Sequence, residues 1–290
     1  MIHEIQAKTL LSAVKQPDPW FGLKYNMNLY RGCQHQCIYC DSRSECYGIE
    51  NFSDVLVKVN AIDLLRRELS RKRVKGMVGT GSMSDPYTFA ERQYRLTGQA
   101  LEVIAQFRFP VHLITKSDMV LKDIDTLDEI NRVHAVVSFS LTTADDDLAA
   151  RVEPGAPRPS QRLVAMRALS ERGIHAGVVM MPILPLIQDS VDNIVNIVRL
   201  AQAHGASYII PAFGVTLRDR QRSYYYDQLD RLFPGLRRDY ERRFGIQYFC
   251  PASDADRLRR LFDELCDQYG IATQVPRYEA EPLPTQLSLL

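Results

Sequence analysis

The amino-acid sequence predicts an α/β fold built on a parallel sheet. Short runs rich in β-branched residues alternate with amphipathic stretches of helical length, which is typical of βα units. Three of the runs, VVSFSL, GVVMMPIL and YIIPAFG, are apolar without alternation, which indicates strands buried on both faces. Because βα crossovers are right-handed, the strands are expected to form a doubly wound sheet or an open, incomplete barrel, with function at their carboxyl ends.

Six strands and five intervening helices are predicted. The strands are expected at Lys24 to Tyr30, Gly76 to Thr80, Val111 to Thr115, Ala135 to Leu141, Ala176 to Ile183 and Tyr208 to Phe213. The helices between them are expected near Ile62 to Lys72, Arg92 to Phe107, Ile124 to Arg132, Pro159 to Arg172 and Ser190 to His204. Further helical stretches rich in Arg and Tyr follow, from Arg218 to Phe244 and from Asp254 to Tyr269.

The pattern predicts one domain with appendages. We expect an N-terminal extension over residues 1–23, a core over residues 24–214, a helical C-terminal extension over residues 215–278 and a loose tail over residues 279–290. A chain of 290 residues is long enough for such a domain to bury a large core.

The composition sets limits on partners and location. The chain has 36 basic and 35 acidic residues, so no global attraction to nucleic acid or membranes is expected. The N-terminus lacks the pattern of a signal peptide, and no apolar run approaches the roughly 18 residues of a membrane helix. We therefore expect a cytoplasmic protein. Six cysteines, three of them within eight positions, suit a metal or redox site in a reducing compartment.

The most informative segment, NLYRGCQHQCIYCDSR, follows the first predicted strand. It places Cys33, Cys37 and Cys40 in C-x3-C-x2-C spacing, and Gly32 allows a sharp turn before them. Three thiolates on one loop can bind three irons of a 4Fe-4S cluster and leave the fourth iron open, as catalysis requires. The alternatives are inert buried thiols or a zinc site completed by Cys46. Since C-x3-C-x2-C-x5-C is not a usual zinc spacing, the cluster is favoured.

This motif, with an aromatic residue before its last cysteine, resembles the signature of the radical S-adenosylmethionine (SAM) superfamily. The segments AKTLLS, DPWFGLKYNMNLYRGCQHQCIYCDSR, SMSDPY, LITKSDMVLKDIDTL, VSFSLTT and VEPGAPRPSQRLVAMRALSERGI resemble its spore photoproduct lyase-related branch, from about Ala7 to Phe244. The resemblance implies a partial (β/α)6 barrel with the cysteine loop at its open end. It also implies that the cluster cleaves SAM reductively to a 5′-deoxyadenosyl radical, which abstracts hydrogen from an unidentified substrate. An electron donor such as flavodoxin or ferredoxin is implied as a partner.

Candidate SAM contacts follow from the same resemblance and from polar residues at strand ends. They are Tyr39, Gly79, Thr80, Ser82, Lys116, Ser138 and Ser140. Gly79 to Ser82 are small residues that a ligand could approach closely, or a turn that needs glycines. Lys116 offers a point charge for a carboxylate. Ser138 and Ser140 share one face of a buried strand, where their hydroxyls need a polar ligand or neighbouring backbone as partner.

Other polar residues near the motifs have weaker functional interpretations. Arg151 and Glu153 are expected to face water beside a turn, and His35 either bonds to a cluster sulfide or points outward. Cys250 and Cys266 are expected to be inert buried residues.

Two features bear on the substrate. In spore photoproduct lyases a cysteine on the second strand gives hydrogen to the product radical, whereas Ser82 stands in that place here. Residues 218–243 hold eight arginines against five acidic residues, with Tyr224, Tyr225, Tyr226 and Tyr240 among them. This stretch is either a nucleic-acid surface or a solvated helical face with its tyrosines packed on the barrel, and the second is favoured.

Three hypotheses about function therefore stand. The first is a radical SAM enzyme acting on an unidentified substrate. The second is a DNA lesion lyase of the spore photoproduct lyase type, and the third is a non-catalytic iron–sulfur redox sensor.

Overall fold

The computed structural model of the chain describes residues 1–15 and 18–280. Its strands are β1 (Ile2–Ile5), β2 (Leu11–Ala13), β3 (Tyr25–Met27), β4 (Tyr30–Arg31), β5 (Val55–Lys58), β6 (Val78–Thr80), β7 (Val111–Thr115), β8 (Ala135–Ser140), β9 (His175–Met180), β10 (Tyr208–Pro211), β11 (Gly214–Thr216) and β12 (Phe249–Pro251). Its α-helices are α1 (Ala61–Leu69), α2 (Glu91–Tyr94), α3 (Leu96–Gln106), α4 (Ile124–Asn131), α5 (Asp146–Val152), α6 (Pro159–Glu171), α7 (Val191–Ala203), α8 (Asp219–Leu232), α9 (Leu236–Phe244) and α10 (Ala255–Tyr269). Short 3-10 turns lie at Asp41–Arg43, Glu45–Tyr47 and Asp118–Asp123.

The main sheet has the strand order β10-β9-β8-β7-β6-β3-β2. Six of its strands pair in parallel, namely β3, β6, β7, β8, β9 and β10. Strand β2 adds an antiparallel edge strand to β3. Helices connect the successive parallel strands, so the α/β class with a parallel sheet is confirmed. The six parallel strands lie where the sequence predicts strands, because their apolar, β-branched runs can be buried on both faces.

The two faces of the sheet have different neighbours. The outward face packs against helices, with α4 against β8 and α6 against β9, and forms the largest apolar core. On the inward face, Val136, Tyr208 and Ile210 pack against Phe21 and Leu23 from the N-terminal segment, with Val275 of the C-terminal segment in the same group. These two segments therefore cover part of the inward face of the sheet.

Several element boundaries differ from the sequence-based expectation. The strand predicted at Lys24 to Tyr30 is divided into β3, which joins the main sheet, and β4, which pairs with β5 in a small sheet that also contains β1. The helix predicted from Arg92 to Phe107 is interrupted at Arg95, whose φ is +50°. The predicted tail over residues 279–290 lies, from residue 281 onward, outside the described residues.

The C-terminal helices lie against the core. Helix α10 packs on α7, and α8 contacts the 3-10 turns that follow the cysteine motif. No helix among the described residues is long and apolar enough to cross a membrane.

Candidate active site

A cavity of about 460 Å³ opens at the carboxyl ends of the parallel strands. We call it the main cavity. Its lining includes seven of the ten predicted cluster ligands and SAM contacts: Cys33, Cys37, Tyr39, Cys40, Ser82, Lys116 and Ser140. Ser82 follows β6, Lys116 follows β7 and Ser140 ends β8. Parallel strands end at one edge of a sheet, which is why residues distant in sequence meet in this cavity.

The three cysteines of the motif share the wall of the main cavity. Cys33 and Cys37 are buried and Cys40 is partly buried, whereas Cys46 is exposed and is not part of the cavity lining. Within residues 1–15 and 18–280, no three His, Cys, Asp or Glu side chains are grouped as ligands of a single metal ion. A cubane cluster does not need such convergence, because each thiolate binds a different iron. The donor set therefore fits a cluster with one open iron.

Cys250 and Cys266 lie in two separate apolar clusters and are both fully buried. Burial raises the pKa of each thiol. Neither lines the main cavity, and their burial agrees with the expectation from the sequence.

The cysteine loop, residues 32–40, is bonded to neighbouring segments on two sides. The Gln34 backbone N–H donates to Thr88 Oγ1 at 3.0 Å. On the other side, the Gln221 side chain of α8 donates from Nε2 to the Tyr39 carbonyl oxygen at 3.1 Å. Helix α8 thus helps to position the cysteine loop.

Two glycines allow the close approach of other chain segments to this loop. Gly32 has φ +83°, and a Cβ there would lie 2.2 Å from the Asp54 carbonyl oxygen. At Gly155 a Cβ would lie 2.2 Å from the Gln34 carbonyl oxygen. Larger residues at either position would displace the loop.

A buried charge network stands behind the cavity wall. Glu153 and Arg162 are each about 1% exposed and form an ion pair, while Tyr39 donates its hydroxyl to Glu153. Lys116 Nζ lies 3.9 Å from Glu153 Oε1. Burial alone would raise the pKa of Glu153, but the charges of Arg162 and Lys116 and the Tyr39 hydroxyl hold it below its usual value.

Lys116 connects this network to the cavity. Its side chain is 14% exposed, and its ammonium lies 5.8 Å from the Tyr39 ring centroid. Burial would lower the pKa of Lys116, but the neighbouring Cys37 and Glu153 raise it. The residue therefore keeps a positive charge at the wall beside the cysteines.

A second buried pair joins His35 of the loop to Asp85. His35 is 1% exposed, and its Nδ1 lies 3.3 Å from Asp85 Oδ2. Burial would lower the pKa of His35, but Cys33 and Asp85 raise it to about 10. Burial would raise the pKa of Asp85, but His35 and the hydrogen bonds from Thr115 and Lys116 lower it to about 2.

The remaining sequence-based candidates lie deeper in the barrel. Gly79 and Thr80 line a smaller cavity of about 260 Å³, which shares Gly81, Ser82 and Ile114 with the main cavity. A Cβ at Gly79 would lie 2.4 Å from Leu23 Cδ1. A larger residue at position 79 would therefore require the Leu23 side chain to move.

Ser138, also predicted as a SAM contact, lies away from both of these cavities. Its side chain is fully buried and lines neither of these cavities. Its hydroxyl is within 2.7 Å of His112 Nε2 and 2.6 Å of the Tyr208 hydroxyl. Ser138 lies two residues below Ser140 on the same strand face, one layer deeper in the barrel, where side chains satisfy its hydroxyl.

Sequence reasoning missed the role of Glu153 in this region. Arg151 is exposed, as expected, but Glu153 is buried and paired with Arg162. A signal existed in α6, where Arg162 shares the buried stripe with Leu163, Met166 and Leu169. An arginine on the apolar face of a helix indicates a buried acidic partner.

The stretch rich in arginine and tyrosine is largely bonded within the chain. Tyr225, Tyr226 and Tyr240 are buried and pack on one another. Six of its eight arginines donate to other groups of the protein, namely Arg218, Arg220, Arg222, Arg237, Arg242 and Arg243. The packing of the three tyrosines agrees with the favoured interpretation.

Comparison with known proteins identifies related sequences. Residues 27–201 match the family model of the radical SAM superfamily. An uncharacterized protein of Mycobacterium tuberculosis strain H37Rv is 30% identical over 299 aligned residues, which cover 99% of this chain and 87% of the relative. An uncharacterized protein of Methanocaldococcus jannaschii is 32% identical over 191 residues, which cover 65% of this chain and 70% of the relative.

Solved structures share the fold. Spore photoproduct lyase complexed with dinucleoside spore photoproduct superimposes with a TM-score of 0.69 at 16% identity, covering 92% of this chain and 79% of the lyase. A radical SAM methyltransferase from Kitasatospora setae gives a TM-score of 0.55 at 13% identity, covering 83% of this chain and 51% of that enzyme. At these identities the likeness extends to the fold alone.

Proposed function

The chain belongs to the radical SAM superfamily of enzymes, and from that premise we propose that it binds a 4Fe-4S cluster and SAM in the main cavity. The cluster would be held by Cys33, Cys37 and Cys40. When bound, it supplies the electron that cleaves SAM to methionine and a 5′-deoxyadenosyl radical, which abstracts hydrogen from the substrate. A donor such as flavodoxin or ferredoxin would deliver that electron.

The observation that supports this proposal most is the shared position of the three motif cysteines and Lys116. All four residues line one cavity at the carboxyl ends of the parallel strands, although Lys116 is distant from the cysteines in sequence. An iron with no protein ligand would therefore face a space that is large enough for a cofactor and contains a fixed positive charge. This arrangement favours an enzyme over a non-catalytic redox sensor.

The residues around this space suit the polar groups of SAM. Lys116 would attract the carboxylate of the methionyl part, because its ammonium stays charged beside Glu153. The hydroxyls of Ser140 and Ser84 line the same cavity, and Ser84 Oγ is buried without a hydrogen-bond partner among the described residues. A buried hydroxyl of this kind gains by bonding to a bound polar ligand.

Apolar residues in the lining would help to keep water away from the reacting groups. Met181, Val215 and Phe249 line the main cavity, and Phe249 belongs to the small β11–β12 sheet. Water exclusion protects a reactive radical from side reactions.

A cleavage assay tests the proposal. Protein reconstituted anaerobically with iron and sulfide is incubated with SAM and dithionite, and 5′-deoxyadenosine is quantified by liquid chromatography. We expect product from the wild type and from Cys46→Ala, whose exposed thiol lies outside the cavity, and none from Cys37→Ala. If the wild type holds a full cluster but forms no 5′-deoxyadenosine, the proposal is contradicted.

The substrate is a separate question. Spore photoproduct lyase has been solved with a dinucleoside substrate, but the likeness at 16% identity covers the fold only. Since six of the eight arginines in residues 218–243 bond within the chain, we do not favour nucleic acid as the substrate. A DNA-binding titration at several salt concentrations tests this, because phosphate contacts give a steep salt dependence.

A further inference from the structure

His35 occupies an unusual place for a histidine, in the middle of the cysteine loop. It is 1% exposed and lines the main cavity together with Cys33 and Asp85. The imidazole lies beside the Cys33 thiol. A buried polar ring is unfavourable unless its nitrogens find partners.

Asp85 is fixed from several directions. Its Oδ1 accepts hydrogen bonds from Thr115 Oγ1 at 2.7 Å and from the Tyr87 N–H at 2.9 Å. Its Oδ2 accepts from the Lys116 N–H at 2.7 Å and lies 3.3 Å from His35 Nδ1. The carboxylate therefore forms a rigid support for one edge of the imidazole.

The backbone of His35 is fixed as well. Its carbonyl oxygen accepts from the Gly155 N–H at 3.0 Å, and the absence of a side chain at Gly155 allows this close packing. The Phe89 ring approaches the imidazole with 6.0 Å between ring centroids. The ring therefore has little freedom to turn away from the cysteines.

In spite of this fixed position, neither ring nitrogen completes a hydrogen bond within the described residues. The Nδ1 contact with Asp85 is an ion-pair distance without hydrogen-bond geometry. The imidazole thus has a carboxylate on one side, but within the described residues it lacks the hydrogen-bond partner that a buried ring nitrogen needs.

We propose that His35 donates an N–H hydrogen bond to the Cys33 sulfur, or to a sulfide of the cluster that Cys33 holds, and so raises the reduction potential of the cluster. Asp85 acts as a positioning residue for the imidazole. The inference rests on the proposed function, since it requires the cluster. Hydrogen bonds to ligating sulfurs favour the reduced cluster, because the added electron increases the negative charge on sulfur.

Two substitutions of similar volume separate the hydrogen bond from the space that the ring fills. His35→Gln keeps an N–H donor, and His35→Leu does not. The midpoint potential is measured on reconstituted protein by an anaerobic redox titration followed by electron paramagnetic resonance, with iron content determined in parallel. The half-buried His134, which is not part of the cavity lining, provides the control His134→Leu.

At a fixed potential, we expect His35→Leu to lower the ratio of reduced to oxidised cluster at least tenfold. For a one-electron couple, a tenfold change corresponds to a midpoint potential that is 59 mV lower. His35→Gln should recover more than half of that shift, and His134→Leu should not differ from the wild type. A cluster that assembles in His35→Gln but not in His35→Leu also supports the proposal, because the two differ in the donor.

Three results would overturn the proposed role of His35. The first is a change of less than twofold in the ratio of reduced to oxidised cluster in His35→Leu, and the second is an equal shift of the midpoint potential in His35→Leu and His35→Gln. The third is that both variants fold but lack the cluster. A wild type that assembles no cluster contradicts the proposed function as well, whereas a wild-type cluster with an unchanged potential in His35→Leu contradicts only the role of His35.

Discussion

Glu153 and Arg162 form an ion pair in which each side chain is about 1% exposed. Arg162 also donates from Nη1 to the Ser140 carbonyl oxygen at 2.9 Å, at the end of β8. The pair therefore joins helix α6 and the loop after α5 to the strand that ends at the main cavity. Because Tyr39 donates to Glu153, the same pair supports the cysteine loop.

We predict that Glu153→Gln destabilises the protein strongly. The substitution leaves Arg162 buried without its counter-charge, which costs about 3 to 5 kcal/mol in comparable sites. Urea unfolding of the cluster-free protein at neutral pH measures the change. The exposed pair of Asp128 and Arg172 offers the control Asp128→Asn, for which little change is expected. Equal effects of the two substitutions would contradict the importance of the buried pair.

Lys116→Ala should weaken SAM binding without loss of the cluster. One charge-assisted hydrogen bond is worth about 1.5 to 3 kcal/mol, or roughly ten- to a hundredfold in affinity. Equilibrium binding of SAM to reconstituted protein, with iron content measured in parallel, tests this. Lys122→Ala removes an exposed lysine from the same region and should leave the affinity unchanged. Wild-type affinity in Lys116→Ala would remove this residue from the SAM site.

His112 should make the folded protein sensitive to acid. Burial, with a smaller contribution from His134, lowers the pKa of His112 from 6.5 to about 3. Below pH 6.5 the unfolded chain binds a proton that the native state does not, so stability falls by about 1.4 kcal/mol per pH unit between pH 6.5 and about pH 3. Above that window the residue contributes no pH dependence.

Urea unfolding of wild type and His112→Gln at about pH 7.5 and about pH 5 tests this expectation. The glutamine can still bond to Ser138 but does not titrate, so the variant should lose less stability on acidification. Identical losses in the two proteins would show that His112 is not the group responsible.

Because position 82 is a serine, we predict that this protein repairs spore photoproduct poorly. Ser82 lines the main cavity. Its hydroxyl accepts a hydrogen bond from Asn26 Nδ2 at 3.2 Å and donates one to Asn26 Oδ1 at 3.3 Å. A serine O–H bond is too strong to give hydrogen to a carbon radical. We expect slow formation of 5′-deoxyadenosine without substrate, and little or no intact thymine from DNA that contains the lesion.

Thymine yield is measured by chromatography for wild type, Ser82→Cys and the control Ser82→Ala. A higher yield from Ser82→Cys alone is expected if the cavity accepts the lesion. Efficient multiple-turnover repair by the unmodified chain would instead establish the lyase hypothesis.

The sequence contained enough local information to predict the main sheet and the cysteine loop. Apolar runs such as Val111–Thr115 have the same bounds in sequence and structure. The spacing of the three cysteines is likewise a local property. Residues at strand ends, such as Lys116 and Ser140, could be placed at the cavity because parallel strands share one functional edge.

Depth within the barrel and the burial of charges could not be predicted in this way. Alternation places Ser138 and Ser140 on one face, but it does not show that His112 and Tyr208 from other strands surround the Ser138 hydroxyl, whereas Ser140 lines the cavity. Glu153 stands beside a turn in the sequence. Its burial depends on Arg162, which belongs to the following helix, and a local pattern does not reveal this contact.

The measurement that most directly tests the central claim is the iron and sulfide content of anaerobically reconstituted protein and its single cysteine variants. We predict about four irons and four sulfides per chain in the wild type, in Cys46→Ala and in Cys250→Ala, because three thiolates suffice for a cluster with one open iron. Cys33→Ala, Cys37→Ala and Cys40→Ala should each lose the cluster. A full cluster in all three of these variants, together with its loss when Cys46 and Cys250 are both replaced by Ala, would contradict the account.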